Sequence, residues 1–141
     1  MNQASRAQRE LASRLLARER LGESSEERAA AAASVYEKLY LCLAPLVGGT
    51  GVRALFARSV TLTTAEFPFL GGVTVEQPEA AATTLRASMQ GQRPDAVIES
   101  AAALFGAFLA LLTTYVGERL TAQVLRGAWP EIGETLSKET K

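Results

Sequence analysis

The strongest constraint on the fold is one long apolar segment, from Ala96 to Val116, in which Glu99 is the only charged residue. Drawn as a helix, its large apolar side chains cover most of the circumference. A helix of this kind lies either at the centre of a bundle or in a membrane. Its charge-free stretch of 18 residues, Ser100 to Gly117, is at the short limit for a bilayer span and is rich in alanine. We therefore predict a central core helix, with membrane insertion as the alternative.

The same segment carries three small residues at a spacing of four, Ala102, Gly106 and Ala110. On a helix they share one face, and small side chains let another backbone approach closely. Two interpretations follow. The face packs against a helix of the same chain, or it forms a seam with a second copy.

Further helices are predicted around the central one. One begins near Ser25 after the Gly22 break, and its apolar face consists of Val35, Leu39, Cys42, Leu43 and Leu46. Pro45 should kink or end it. Others are expected from about Val52, with Thr50 as the N-cap residue, from Pro78 to about Gln90, and after Gly117 up to Trp129. The fold class is therefore all-α, a compact bundle of about five helices.

The N-terminal segment differs from the rest in charge. Residues 1–24 contain five arginines but few large apolar residues, and Leu11 and Leu15 form one narrow stripe. We predict a basic helical arm that is either solvated or docked on a partner or a membrane surface. The chain thus divides into an arm (1–24), a bundle domain (25–133) and a polar tail (134–141).

Composition argues against several kinds of chemistry. The chain has no histidine and one cysteine, Cys42, so an intramolecular disulfide is excluded and a zinc site is disfavoured. No pair of carboxylates, and no serine with a base, stands at a recognisable catalytic spacing. We expect no enzyme activity, no metal and no cofactor. Fifteen basic residues balance fifteen acidic ones, which gives no reason to expect a nucleic-acid partner.

Two loops and three arginines are the candidate binding elements. The turn Gly48 to Gly51 is either a plain connection or an anion site at a helix N-terminus. Residues Phe67 to Val75 form either a contact loop, through Phe67 and Phe69, or a plug for the end of the bundle, and Trp129 is expected to pack its ring over the bundle mouth as a core plug. The arginines that would orient a ligand are Arg53, Arg58 and Arg119.

These features favour a protein–protein interaction module, of the regulatory or adaptor kind, that acts through helical surfaces and self-associates. The predicted interaction surface consists of Leu11, Leu15, Phe67, Phe69, Ala102, Gly106, Ala110 and Trp129. The alternative is a bundle that binds a hydrophobic or anionic small molecule in an apolar pocket. A membrane-associated helical protein is the third interpretation. Because the N-terminus lacks the apolar stretch of a secretory signal, we expect a cytoplasmic location.

Overall fold

The computed structural model describes residues 6–19, 22–74 and 78–130. Within these ranges the chain is built from helices without a strand, as the all-α prediction requires. A short 3-10 helix spans Pro68–Gly72. The six α-helices are α1 (Arg6–Ala17), α2 (Ser25–Val47), α3 (Gly49–Thr64), α4 (Pro78–Gln90), α5 (Pro94–Val116) and α6 (Glu118–Ala128). The polar tail predicted for residues 134–141 lies outside the described residues.

The start of α2 is set by a capping box. The Ser24 hydroxyl accepts a hydrogen bond from the backbone N–H of Glu27 at 3.0 Å, and the Glu27 carboxylate accepts one from the Ser24 N–H at 3.4 Å. These bonds satisfy two of the donors that a helix start leaves unpaired. Pro45 does not end α2, which continues to Val47 and stops at Gly48.

The beginning of α3 differs from its prediction. The helix starts at Gly49, and Gly48 rather than Thr50 occupies the N-cap position. The reason is the backbone of Gly48, whose φ of 81° reverses the chain within one residue. Thr50 instead lies in the first turn, where its hydroxyl accepts a hydrogen bond from the Arg53 guanidinium at 3.3 Å.

The apolar helix α5 occupies the centre of the bundle, as predicted. Every residue from Ser100 to Leu109 is buried. Among the described residues, α2 and α5 are the helices that are long and apolar enough to cross a membrane, judged by length and composition alone. In the fold, 67% of the most apolar 18-residue window of α5 is buried, against 39% for α2.

The two halves of the chain repeat one arrangement. Both α2 and α5 have 23 residues, and each ends at a glycine of positive φ, Gly48 (81°) or Gly117 (93°), followed directly by a shorter helix. Gly117 comes 69 residues after Gly48. At the same offset, pairs of buried residues correspond: Ala32 and Ala101, Val35 and Leu104, Tyr36 and Phe105, Leu39 and Phe108, Leu43 and Leu112. We call this correspondence the 69-residue repeat.

Packing between the halves is reciprocal. The first helix of one half, α1, packs chiefly on α5 of the other, and α4 packs chiefly on α2. Likewise α3 also contacts α5, and α6 also contacts α2. The arrangement has the character of a twofold relation within a single chain. Each long helix is therefore covered in part by the opposite half.

The basic arm belongs to this packing. Ala12, Leu15 and Leu16 of α1 are fully buried, and the arginines of α1 lie at partly or fully exposed positions. An ion pair between Arg9 and Glu66, at 3.0 Å, joins the start of α1 to the chain just after α3. The thin apolar stripe seen in the sequence thus docks on the chain's own central helix.

Candidate functional site

One end of the bundle carries all the large apolar side chains that are exposed among the described residues. They are Leu41 and Leu46 on α2 and Tyr115 on α5, with exposed fractions of 73%, 54% and 68%. The apolar periodicity of α2 predicts that Leu46 is buried, and this prediction is wrong. Leu46 lies in the last turn of α2 and is exposed there, although Leu43 one turn earlier is buried.

The three side chains lie at the same end because α2 and α5 run parallel. At their starts, the Arg28 guanidinium donates a hydrogen bond to the carbonyl of Pro94 at 3.1 Å. Halfway along, the ring of Phe56 lies 4.4 Å from Tyr36 and 6.3 Å from Phe105, between centroids. Both helices therefore finish together. We call Leu46 and Tyr115 the end face; Leu41 lies five positions before Leu46, about 140° around α2, and is exposed on another side of that helix.

The repeat extends to this end face. Leu46 and Tyr115 are each the second-last residue of a 23-residue helix, two positions before Gly48 or Gly117. The turns match as well, since the N–H of each glycine donates to the carbonyl four residues earlier at 2.8 Å. Both halves thus expose a large apolar side chain at the same place.

The three arginines proposed as ligand contacts do not form one group. Arg53 and Arg119 lie in the first turns of α3 and α6, at the end-face end of the bundle. Arg58 lies five positions after Arg53, about 140° around the helix, and is exposed. Arg119 is exposed too, whereas Arg53 is half-buried and donates to Thr50.

Most of the predicted interaction surface faces inward. Leu15 and Trp129 are buried, as are Ala102 and Gly106 on α5. The remaining members are half-buried: Leu11, Phe67, Phe69 and Ala110. Phe67 and Phe69 contact each other edge to face, with ring centroids 6.0 Å apart, and both pack against the core. In this fold these residues make contacts within the chain.

A buried polar group lies midway along α2. The Tyr36 side chain is 1% exposed, and its hydroxyl has no hydrogen-bond partner among the described residues. Burial raises the pKa of Tyr36 to about 12; the neighbouring Tyr40 adds to the rise, and Arg53 opposes it. The hydroxyl is therefore neutral throughout the physiological pH range.

A second polar cluster joins the segment after α1 to α2 and to the segment after α6. The carboxylate of Glu19, whose side chain is 8% exposed, accepts a hydrogen bond from Lys38 at 2.6 Å and another from the indole of Trp129 at 2.7 Å. The Lys38 ammonium also lies 5.6 Å from the centre of the Trp129 ring. These contacts hold Trp129 against α2, where it closes the bundle.

A cavity of about 320 Å³ opens between α1, α3 and α5. Its walls include Leu62 and Thr63 of α3 and two alanines of α5, Ala103 and Ala107. Arg9 and Glu66, the ion pair described above, also line it. The arginine in the wall of this cavity is Arg9 and not Arg53, Arg58 or Arg119, and its α5 residues are not those of the predicted small-residue face.

The described residues contain no group of three or more histidine, cysteine, aspartate or glutamate side chains placed to hold a metal ion. Cys42 is half-buried and unpaired in the described part of the chain. No protein-family model matches the chain, and neither a curated protein nor a solved structure matches it.

Proposed function

We propose that this chain is a non-enzymatic protein–protein interaction module, of the regulatory or adaptor kind, that associates with a second copy of itself through the end face. The observation that carries the proposal is the repeated exposure of a large apolar side chain, Leu46 in one half and Tyr115 in the other. Single exposed apolar residues are common on protein surfaces. Here the same exposure occurs at equivalent positions of a repeat.

The internal relation between the halves favours a second copy as the partner. In a twofold dimer the same patch is used by both subunits, so the patch must be complementary to itself. A face on which Leu46 and Tyr115 occupy related places can meet its own copy with apolar groups opposite apolar groups. Aromatic side chains such as Tyr115 are also enriched at the centres of interfaces.

The charged residues next to the end face are also compatible with a second copy of the chain as the partner. Glu118 and Arg119 are adjacent in the first turn of α6, and both are exposed. In a twofold contact the Glu118 carboxylate of one subunit can lie opposite the Arg119 guanidinium of the other. Such rim pairs contribute more to orientation than to affinity.

The small size of the end face sets the expected affinity. Two side chains supply only part of the surface that a stable dimer buries, so the contact belongs to the weak class of interfaces. We expect dissociation constants of about 10 μM to 1 mM. Association should therefore depend on protein concentration.

The experiment is sedimentation velocity on the full chain over a concentration series from about 10 μM to about 1 mM. The wild type should shift from the 15.0 kDa monomer towards a dimer as concentration rises. The double variant Leu46→Ser/Tyr115→Ser should remain monomeric. The control is Ala87→Ser/Gln90→Ser, which changes two exposed residues of α4 at the opposite end of the bundle and should associate like the wild type.

Two results would contradict the proposal. One is a wild type that stays monomeric over the whole series. The other is a folded Leu46→Ser/Tyr115→Ser variant, checked by circular dichroism, that associates as strongly as the wild type.

A further inference from the structure

The cavity between α1, α3 and α5 borders a position at which the two halves of the 69-residue repeat differ. Ala107, in its wall, is the counterpart of Lys38 at the 69-residue offset. Lys38 extends a long side chain to Glu19 and lies beside Trp129. The methyl group of Ala107 occupies far less volume. At this position of the repeat, the first half has the long side chain of Lys38, whereas the second half has the short side chain of Ala107 and the cavity beside it.

The cavity has an apolar side and a charged side. Ala103, Ala107 and Leu62 provide the apolar walls. The Thr63 hydroxyl also lies in the wall, but it already donates to the Ser59 carbonyl at 2.7 Å. The Thr63 hydroxyl can therefore only accept a further hydrogen bond, and the charged groups that can meet a ligand are the guanidinium of Arg9 and the carboxylate of Glu66.

These two groups are 3.0 Å apart and remain accessible, with side chains exposed by 41% and 53%. An exposed ion pair of this kind adds little to stability, so a ligand can separate or bridge it at low cost. A guanidinium binds a carboxylate through two parallel hydrogen bonds, and a carboxylate binds an ammonium group. A matching ligand therefore carries a carboxylate and an ammonium group close together, with an apolar body beside them.

We propose that this cavity binds a small apolar α-amino acid in its zwitterionic form. The ligand carboxylate pairs with Arg9, its ammonium group pairs with Glu66, and its side chain lies against Ala103, Ala107 and Leu62. The volume of about 320 Å³ is at the lower end of the range for ligand pockets, which suits a ligand of this size. This site is independent of the end face, so it stands or fails separately from the proposed self-association.

The test is isothermal titration calorimetry on the full chain with three related compounds. L-Leucine has both charged groups, 4-methylpentanoate lacks the ammonium group, and 3-methylbutylamine lacks the carboxylate. We expect saturable binding of leucine with a Kd below about 1 mM, and binding of each analogue weaker by about tenfold or more, because each loses a charge-assisted hydrogen bond.

Three variants assign the contacts. Arg9→Gln and Glu66→Gln change exposed side chains and should each weaken leucine binding by about tenfold or more. Ala107→Leu fills the cavity from its wall and should abolish binding. Arg126→Gln, an equal change of charge at an exposed position on α6, is the control and should bind leucine like the wild type.

The proposal is overturned if the wild type gives no saturable leucine signal, or if 4-methylpentanoate binds as tightly as leucine. It is also overturned if Arg9→Gln and Glu66→Gln both bind leucine with unchanged affinity. Because those two residues are exposed, their variants keep the test decisive even if Ala107→Leu fails to fold.

Discussion

The indole N–H of Trp129 donates a hydrogen bond to the carboxylate of Glu19 at 2.7 Å, although the two residues are 110 positions apart. Glu19 follows α1, and Trp129 follows α6, so the bond joins the first helix of one half to the last helix of the other. Lys38 on α2 completes the cluster. A nearly buried carboxylate is favourable only while its partners are present.

Removing this carboxylate should destabilise the fold. Glu19→Ala leaves the ammonium of Lys38 and the indole N–H of Trp129 without their acceptor, and we expect the free energy of unfolding to fall by about 2–3 kcal/mol. Urea denaturation followed by circular dichroism measures the change. The control Glu23→Ala, at an exposed position, should change it by less than about 0.5 kcal/mol. If Glu19→Ala and Glu23→Ala change the free energy of unfolding equally, the cluster around Glu19 does not stabilise the fold.

Alkaline pH should act on the fold through Tyr36. In the unfolded chain this phenol ionises near its ordinary pKa of 10, whereas in the fold its pKa is about 12. Between these values the unfolded state has lost the proton and the folded state has kept it, so stability falls as pH rises from about 10 to about 12. The difference in tyrosinate ultraviolet absorbance between the wild type and Tyr36→Phe should show Tyr36 ionising near pH 12.

The variant Tyr36→Phe removes a buried hydroxyl that has no partner among the described residues. We expect its free energy of unfolding at pH 7 to be unchanged or raised by up to about 1 kcal/mol, because an unsatisfied buried hydroxyl is unfavourable. Its stability should also decline less above about pH 10 than that of the wild type. Tyr115→Phe is the exposed control. A loss of more than about 1 kcal/mol at pH 7 would mean that the hydroxyl has a stabilising partner.

The two glycines that end the long helices should tolerate substitution poorly. Gly48 and Gly117 combine φ values of 81° and 93° with ψ values of 151° and 161°, a region almost confined to glycine. Alanine at either position should cost about 1–3 kcal/mol. Gly127 lies within α6 with nothing near its added Cβ, so Gly127→Ala should stabilise by about 0.5–1 kcal/mol. Thermal unfolding of the three variants compares them directly.

Gly49, which starts α3, is needed because a larger side chain does not fit there, and not because of its backbone conformation. A Cβ at Gly49 would collide with the hydroxyl of Tyr40. Gly49→Ala should therefore lower the free energy of unfolding. Adding Tyr40→Phe should restore part of that free energy, because it removes the hydroxyl oxygen with which the new Cβ collides. A double-mutant cycle measures this coupling, for which we expect about 1 kcal/mol. Additive effects of the two substitutions would exclude the collision as the cause.

Local patterns in the sequence predicted much of the fold. The apolar run predicted α5 and its central place, and Pro78 predicted the start of α4, because both signals lie within a few neighbouring residues. Leu46 was wrongly predicted to be buried, since periodicity identifies a face of α2 but does not show how far its last turn extends beyond its neighbours. The 69-residue repeat was present in the sequence as a Val-Gly pair that ends both long helices.

Local sequence patterns could not predict contacts between distant segments. The residues around Glu19 give no sign that it binds an indole 110 positions away. Likewise, the residues around Arg9 do not show that it pairs with Glu66 beside Ala107. The cavity is lined by Ala103 and Ala107 of α5 and not by the predicted small-residue face of Ala102, Gly106 and Ala110, and its charged groups come from α1 and from the chain after α3. Only the packing of α1 on α5 brings them together.

The reciprocal packing of α1 on α5 and of α4 on α2 has a consequence for how the chain unfolds. If the first half detaches, α5 loses its contact with α1. If the second half detaches, α2 loses its contact with α4. Neither half therefore keeps a complete core by itself. Partial unfolding of one half therefore exposes apolar surface on both, and the molecule should lose its structure in a single cooperative transition. The arrangement behaves in this respect as an obligate dimer whose two subunits are joined in one chain.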